Sequence, residues 1–223
     1  ALHSSNGNVI QTVPVFKGDR FTSSSTSYVD ITGLSVTITP KFANSDIQVA
    51  IAFGMAGTTQ SNLDHGNGIR ILRSIDGGSY SDDTYLNGNS DGNRKRITFR
   101  GHGWAYNNDH MGGGVGFVGV DVNPSYSLGN SIVYKVQAIC QLQTKTFFLN
   151  GTAANGNNNQ VYSGRTASSI IAMEPDVIVL DEPTTGQDYL GIKAIRLAIK
   201  KLKEQGKTVI VVSHDMPLVA EDT

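Results

Sequence analysis

Asn87-Gly88-Asn89-Ser90-Asp91-Gly92 sets oxygen-bearing side chains at alternate positions with a glycine sixth, the pattern that opens an EF-hand calcium loop. The twelfth position is Thr98, where such a loop needs a bidentate Glu. Asn87, Asn89 and Asp91 are therefore weak cation candidates, and an ordinary Asn/Gly turn accounts for the same residues. Further on, His102, Trp104, Tyr106 and His110 gather imidazoles and aromatic rings beside a glycine-rich loop. That composition suits sugar stacking or a metal at a receptor-binding tip; core or trimer-interface packing uses the same residue types. A third group lies near the C-terminus. Val177, Ile178, Val179 and Leu180 run into Asp181-Glu182-Pro183-Thr184, and about thirty residues later Ser213-His214-Asp215 follows a second aliphatic run. Gly206-Lys207-Thr208 imitates the end of a phosphate-binding loop, whose backbone N–H groups cradle phosphates. The full GxxxxGK[ST] pattern needs glycine at position 201, where this chain has Lys201, and the triplet leads into a strand rather than a helix.

The overall balance excludes some classes. A formal net charge of -1 with 17% charged residues lacks the basic excess of a nucleic-acid binder, so no nucleic-acid partner is expected. No apolar run approaches the roughly 20 residues of a bilayer span, and Ala1-Leu2-His3 has neither the basic nor the apolar region of a signal peptide. The chain is expected to be soluble, with no membrane span. Cys140, the one cysteine, cannot form an internal disulfide, and its place in an alternating run points it inward as a small apolar residue.

Two kinds of element must position these groups. Leu34, Val36 and Ile38, then Ile47, Val49, Ile51, Phe53 and Met55, repeat with period two, the pattern of half-buried strands. Turn-favouring clusters at Ser23 to Ser27, Thr39-Pro40, Asn44-Ser45-Asp46 and Asp76-Gly77-Gly78 separate them. Gly68 to Arg73, Ile97 to Tyr106, Val115 to Val122, Ile132 to Leu142, Phe147 to Leu149 and Ala167 to Ala172 read as further strands, and Ser79 to Arg96 as an exposed loop or mobile hairpin tip. Many short strands with turns between them predict an antiparallel β-sandwich or jelly roll over 1–174. After Pro175 the period shifts toward 3.6: Leu190, Ile192, Ile195, Leu197, Ile199 and Leu202 lie among lysines between two apolar strands, with Gly206 as a C-cap. Residues 175–223 are thus predicted to be a short βαβ appendage.

The downstream segment resembles the Walker B, D-loop and H-loop portion of an ABC transporter ATPase, most like the energy-coupling subunits, over about Ala167 to Thr223. That resemblance implies that Asp181 holds Mg²⁺ through water, Glu182 orients the attacking water, Asp188 takes the D-loop place and His214 contacts the γ-phosphate. The LSGGQ signature expected about twenty residues earlier is missing, Ser163-Gly164-Arg165 being a poor remnant. With neither phosphate cradle nor signature, these four residues are expected to be inactive remnants and the chain not to be an ATPase.

The upstream part, roughly Asn8 to Glu174, resembles virion structural domains at the ends of phage tail fibres. The resemblance is carried by Gly7 to Gln11, Thr26 to Leu34, Ile38 to Phe42, Gly68 to Arg73, Val133 to Gln137 and Ser168 to Glu174. It implies a structural or attachment subunit in a virion or extracellular assembly, a homo-oligomer and most simply a trimer, with a host-surface glycan or protein as partner and no cofactor. Two other readings stand beside it: an ATP-binding subunit of an ABC transporter lacking its Walker A half, and a secreted carbohydrate-binding β-sandwich.

Overall fold

The computed structural model describes residues 9–59, 66–82, 84–89, 91–100, 113–152, 164–175, 177–186, 188–204 and 208–213. Two compact units emerge, one spanning Gln11–Glu174 and the other Pro175–Thr223 together with Ala1–Ile10.

The larger unit carries nine of the strands: β1 (Val9–Lys17), β2 (Phe21–Ser23), β3 (Val29–Ile38), β4 (Ile47–Thr58), β5 (Asn67–Ile75), β6 (Gly113–Asp121), β7 (Ile132–Cys140), β8 (Phe147–Leu149) and β9 (Ser168–Pro175). They form a six-stranded sheet in the order β1-β9-β4-β8-β2, with β6 on β4, and a three-stranded sheet in the order β3-β7-β5. Strand β4 is the centre of the first sheet. One of its edges pairs antiparallel with β6, and the other with β9 over Gln48 to Phe53 and then with β8 over Ala56 to Thr58. The change of partner falls at Gly54 and Met55. Gly54 N–H donates to the Ala167 carbonyl at 3.1 Å, and a Cβ at 54 would stand 2.7 Å from that of Thr166, so only glycine admits the incoming chain this closely.

The period-two pattern has its physical counterpart in burial. Leu34, Val36 and Ile38 of β3, Ile47, Val49, Ile51 and Phe53 of β4, Ile69 and Ile71 of β5, and Tyr134 and Val136 of β7 belong to one buried apolar cluster. Residues from both sheets meet in that cluster, which makes this an antiparallel β-sandwich. The intervening positions of β3 and β4 face outward or are half-buried, as alternation requires.

Several details depart from expectation. Among the described residues Ile97–Arg100 form no strand; Phe99 makes only an isolated bridge to Ile69, and the rest of the predicted strand lies outside the described residues. The segment from Ser79 to Arg96 is not simply exposed, because Leu86, Thr84 and Asn87 are buried. An apolar leucine and hydrogen bonds from Asn87 fasten this loop to β5. Strand β7 ends at Cys140, so Leu142, expected to continue its inward face, is partly exposed.

Asp121 and Asn150, two polar residues buried in this unit, are both paired. The Asp121 carboxylate, fully buried, accepts from Arg73 Nη1 at 2.8 Å and from the Tyr134 hydroxyl at 2.7 Å. Burial, reinforced by the neighbouring Asp121 charge, pushes the Tyr134 phenol far above its ordinary value. Asn150, at φ 59°, donates from Nδ2 to the Lys17 carbonyl at 2.7 Å and accepts from the Ser168 hydroxyl at 2.6 Å, joining the chain after β1 to the start of β9.

The second unit is built from β10 (Val177–Asp181), α1 (Tyr189–Glu204) and β11 (Thr208–Val212). Strands β10 and β11 are parallel, in register from Val177 opposite Thr208 to Asp181 opposite Val212. Parallel neighbours need a crossover, and α1 supplies it. Ile199 is buried on this helix and Ile192 and Ile195 are half-buried, the i, i+3, i+7 stripe of one face, while Leu197, expected to share it, is exposed. The expected C-cap Gly206 lies outside the described residues.

Candidate functional site

The carboxyl end of the β10–β11 pair carries the acidic pair Asp181-Glu182, and in open parallel sheets this is the end at which ligands bind. Asp181 is the last residue of β10, opposite Val212. One residue on, the Glu182 N–H donates to the Val212 carbonyl at 2.7 Å, extending the ladder past the strand. Glu182 itself adopts φ 46°. A left-handed backbone at a residue with a long side chain costs about 1 kcal/mol or more, and such outliers concentrate at functional turns.

This backbone turn carries the chain into Pro183-Thr184-Thr185-Gly186, closed by the Thr185 N–H donating to the Glu182 carbonyl at 3.1 Å. Gly186, at φ 73°, completes the reversal. The Glu182 carboxylate accepts from the Thr185 hydroxyl and from the Ser213 hydroxyl, each at 3.4 Å. Residues 31 positions apart in sequence, Glu182 and Ser213, are thereby brought to one end of the two strands.

Asp188 occupies the N-cap of α1. Its Oδ1 accepts the Gly191 N–H at 2.8 Å, and its carbonyl accepts the Ile192 N–H at 2.9 Å. An N-cap aspartate needs no further role to explain its residue type, since it satisfies an orphan helix donor and places negative charge at the positive end of the helix. His214 lies outside the described residues, although its neighbour Ser213 is placed beside Glu182. Nothing in the residue pattern foretold that Ser213 would bond to Glu182; the one signal was its position directly after the second aliphatic run.

The other candidates fare differently. His102, Trp104, Tyr106 and His110 lie outside the described residues. Two of the three suggested cation ligands, Asn87 and Asp91, have protein partners: Asn87 Oδ1 accepts from the Ile71 N–H at 3.1 Å and the Thr98 hydroxyl at 2.8 Å, while its Nδ2 donates to the Ile71 carbonyl at 2.8 Å. Asp91 forms an ion pair with Arg94, and Asn89 is exposed. Asn87 thus serves as a side-chain extension of β5, and Thr98, which stands where the loop needs a Glu, completes that network. Among the described residues no three His, Cys, Asp or Glu side chains gather as a metal site, and no helix is long and apolar enough to cross a membrane.

Comparison with known proteins adds the following. Over 54 residues, 24% of this chain, it is 59% identical to an ABC transporter ATP-binding protein of Methanosarcina mazei, of which those residues make up 9%. Similarity to a like-named protein of Vibrio vulnificus extends over 95 residues at 39% identity, 42% of this chain and 16% of the relative. A third, from Pyrococcus furiosus, is 50% identical over 52 residues, 23% of this chain and 20% of the relative. The chain therefore spans no more than a fifth of the length of these relatives. No family model matches it.

These matches bear out the ABC ATPase part of the resemblance and give no support to the other. The relatives are named as ABC transporter ATP-binding proteins, and nothing among them points to a tail fibre. The expectations of a phage attachment subunit and of a virion or extracellular location are corrected accordingly. The physical reason for the error is that alternating strands and Asn/Gly turns describe any antiparallel sandwich, and fold does not imply function.

Proposed function

We propose that residues 175–223 are the Walker B to H-loop part of an ABC-type nucleotide site, and that this half-site engages Mg-ATP only when the glycine-rich phosphate loop comes from outside these 223 residues. In this reading Asp181 holds Mg²⁺ through water, Glu182 orients the attacking water and His214 reaches the γ-phosphate. The observation that carries it is the convergence of Glu182 and Ser213, the residue before His214, at the carboxyl ends of β10 and β11. Similarity to ATP-binding proteins from three organisms supports the same assignment.

The chain by itself does not hydrolyse ATP. Phosphate desolvation is offset in such sites by a nest of backbone N–H groups and a lysine. Without that cradle, Asp181 and Glu182 meet the triphosphate as two like charges and repel it. The test has two arms. The full chain incubated with Mg-ATP should release no phosphate above the uncatalysed rate; turnover that disappears in Glu182→Gln would overturn the claim of incompleteness. Grafting 175–223 in place of the corresponding segment of the Methanosarcina mazei relative should leave an active ATPase that Glu182→Gln silences. A folded graft without turnover would overturn the half-site assignment.

A further inference from the structure

The basic run Arg94-Lys95-Arg96, with Arg100 four residues on, is sorted by the fold into two kinds of cation. Arg94 forms an ion pair with Asp91. Arg96 donates from Nε to the Gly88 carbonyl at 2.9 Å and lies 3.5 Å from an Asp82 oxygen. Lys95 and Arg100 take neither of these partners. Both side chains are exposed, and both line a cleft of about 380 Å³ whose wall is completed by Thr26, Gly66, Asn67, Gly68, Ile97, Ile139, Cys140 and Gln141. Among the described residues that line it there is no carboxylate.

The cleft owes its shape to two glycines of, or next to, β5. A Cβ at position 66 would run into the Arg100 guanidinium. A Cβ at position 68 would stand 2.8 Å from the Ile97 Cγ2 and 3.1 Å from the Ile139 Cγ2. Gly66 thus leaves room for the guanidinium, and Gly68 holds the floor open between two isoleucines. One part of the cleft is cationic and another apolar, and its volume lies in the range of small-molecule sites.

We propose that this cleft binds a small oxyanion carrying an apolar body, a carboxylate or a phosphate monoester, with Arg100 and Lys95 on the oxyanion and Ile97 and Ile139 against the body. A guanidinium presents two parallel N–H donors to such a group, and the lysine adds a mobile charge. The site lies wholly within the β-sandwich unit and is independent of the nucleotide half-site.

The test is calorimetric titration of the full chain with four probes: phenyl phosphate, benzoate, inorganic phosphate and uncharged benzamide. Phenyl phosphate or benzoate should bind saturably below about 5 mM, more tightly than inorganic phosphate, while benzamide should give no heat at that level. Which of the two binds better separates a phosphate ligand from a carboxylate one. Affinity should fall roughly tenfold or more in Lys95→Gln/Arg100→Gln, since each charge-assisted bond is among the stronger contacts available. Arg94→Gln, whose cation is paired elsewhere, should leave it unchanged. No saturable binding by either aromatic anion, full retention of affinity in the double variant, or benzamide binding as well as benzoate would each overturn the proposal.

Discussion

Glu174 should be a sensitive carboxylate of the sandwich. It is fully buried near the end of β9, with Oε2 accepting the Lys41 N–H at 2.8 Å and Oε1 accepting the Phe42 N–H at 3.1 Å and the Ser45 hydroxyl at 2.7 Å. These donors lie 129 to 133 positions away in sequence, so the carboxylate fastens the turn between β3 and β4 to the last strand of the unit. In Glu174→Ala all three donors lose their acceptor. The Ser45 hydroxyl retains the Phe42 carbonyl at 3.4 Å, and the two N–H groups are only partly shielded from water. Leaving these donors without their acceptor should therefore cost about 3 kcal/mol. For a unit of this size that lowers the thermal midpoint by about 6 to 12 °C. Glu174→Gln keeps the shape and one acceptor oxygen but sets an amide N–H against the Lys41 N–H, and should cost roughly half as much. Far-ultraviolet circular dichroism melts of the three proteins measure both shifts. A midpoint in Glu174→Ala within about 2 °C of the unmodified chain would show that water replaces the carboxylate and refute this account of the closure.

Asp121→Asn should destabilise the sandwich by about 3 kcal/mol, because Arg73 and the buried Tyr134 hydroxyl both address that carboxylate, whereas Tyr134→Phe, which removes a single bond, should cost about 1 kcal/mol; chemical denaturation measures each. Burial pushes the Cys140 thiol up, so its labelling by a disulfide reagent at neutral pH should be much slower than that of a free thiol and should accelerate on unfolding. At Asp30, burial works against ionisation, but hydrogen bonds from Gln137 and Lys135 with the Lys135 and Arg70 charges outweigh it and hold the carboxyl below its usual value. A depressed carboxylate contributes stability above its unfolded pKa and loses it as pH falls through the folded one. Asp30→Asn should therefore flatten the acid limb of a stability-versus-pH curve below about pH 4, and an unaltered limb would place the pH dependence elsewhere.

Residue order alone determined the elements whose signal is local. Period-two apolar residues from Leu34 to Met55 specify β3 and β4 because a strand exposes alternate side chains to opposite faces. The change to aliphatic runs flanking a lysine-rich amphipathic stretch specifies β10, α1 and β11 for the same kind of reason. The acidic pair at the end of β10 was likewise legible, since Asp181 and Glu182 directly follow an uninterrupted apolar run. Only tertiary structure could decide what depends on pairing between distant segments. That Glu182 meets Ser213 follows from the parallel register of Asp181 with Val212, which no local pattern encodes. Asn87, which its alternating oxygens suggested as a cation ligand, became a crosslink to β5 because the loop around it folds back and buries Leu86. The division of Arg94, Lys95, Arg96 and Arg100 into paired cations and cleft-lining ones rests on where Asp91, Asp82 and Gly66 come to lie. All four carry the same charge in the sequence; the partner that a long flexible side chain finds is a property of the folded surface.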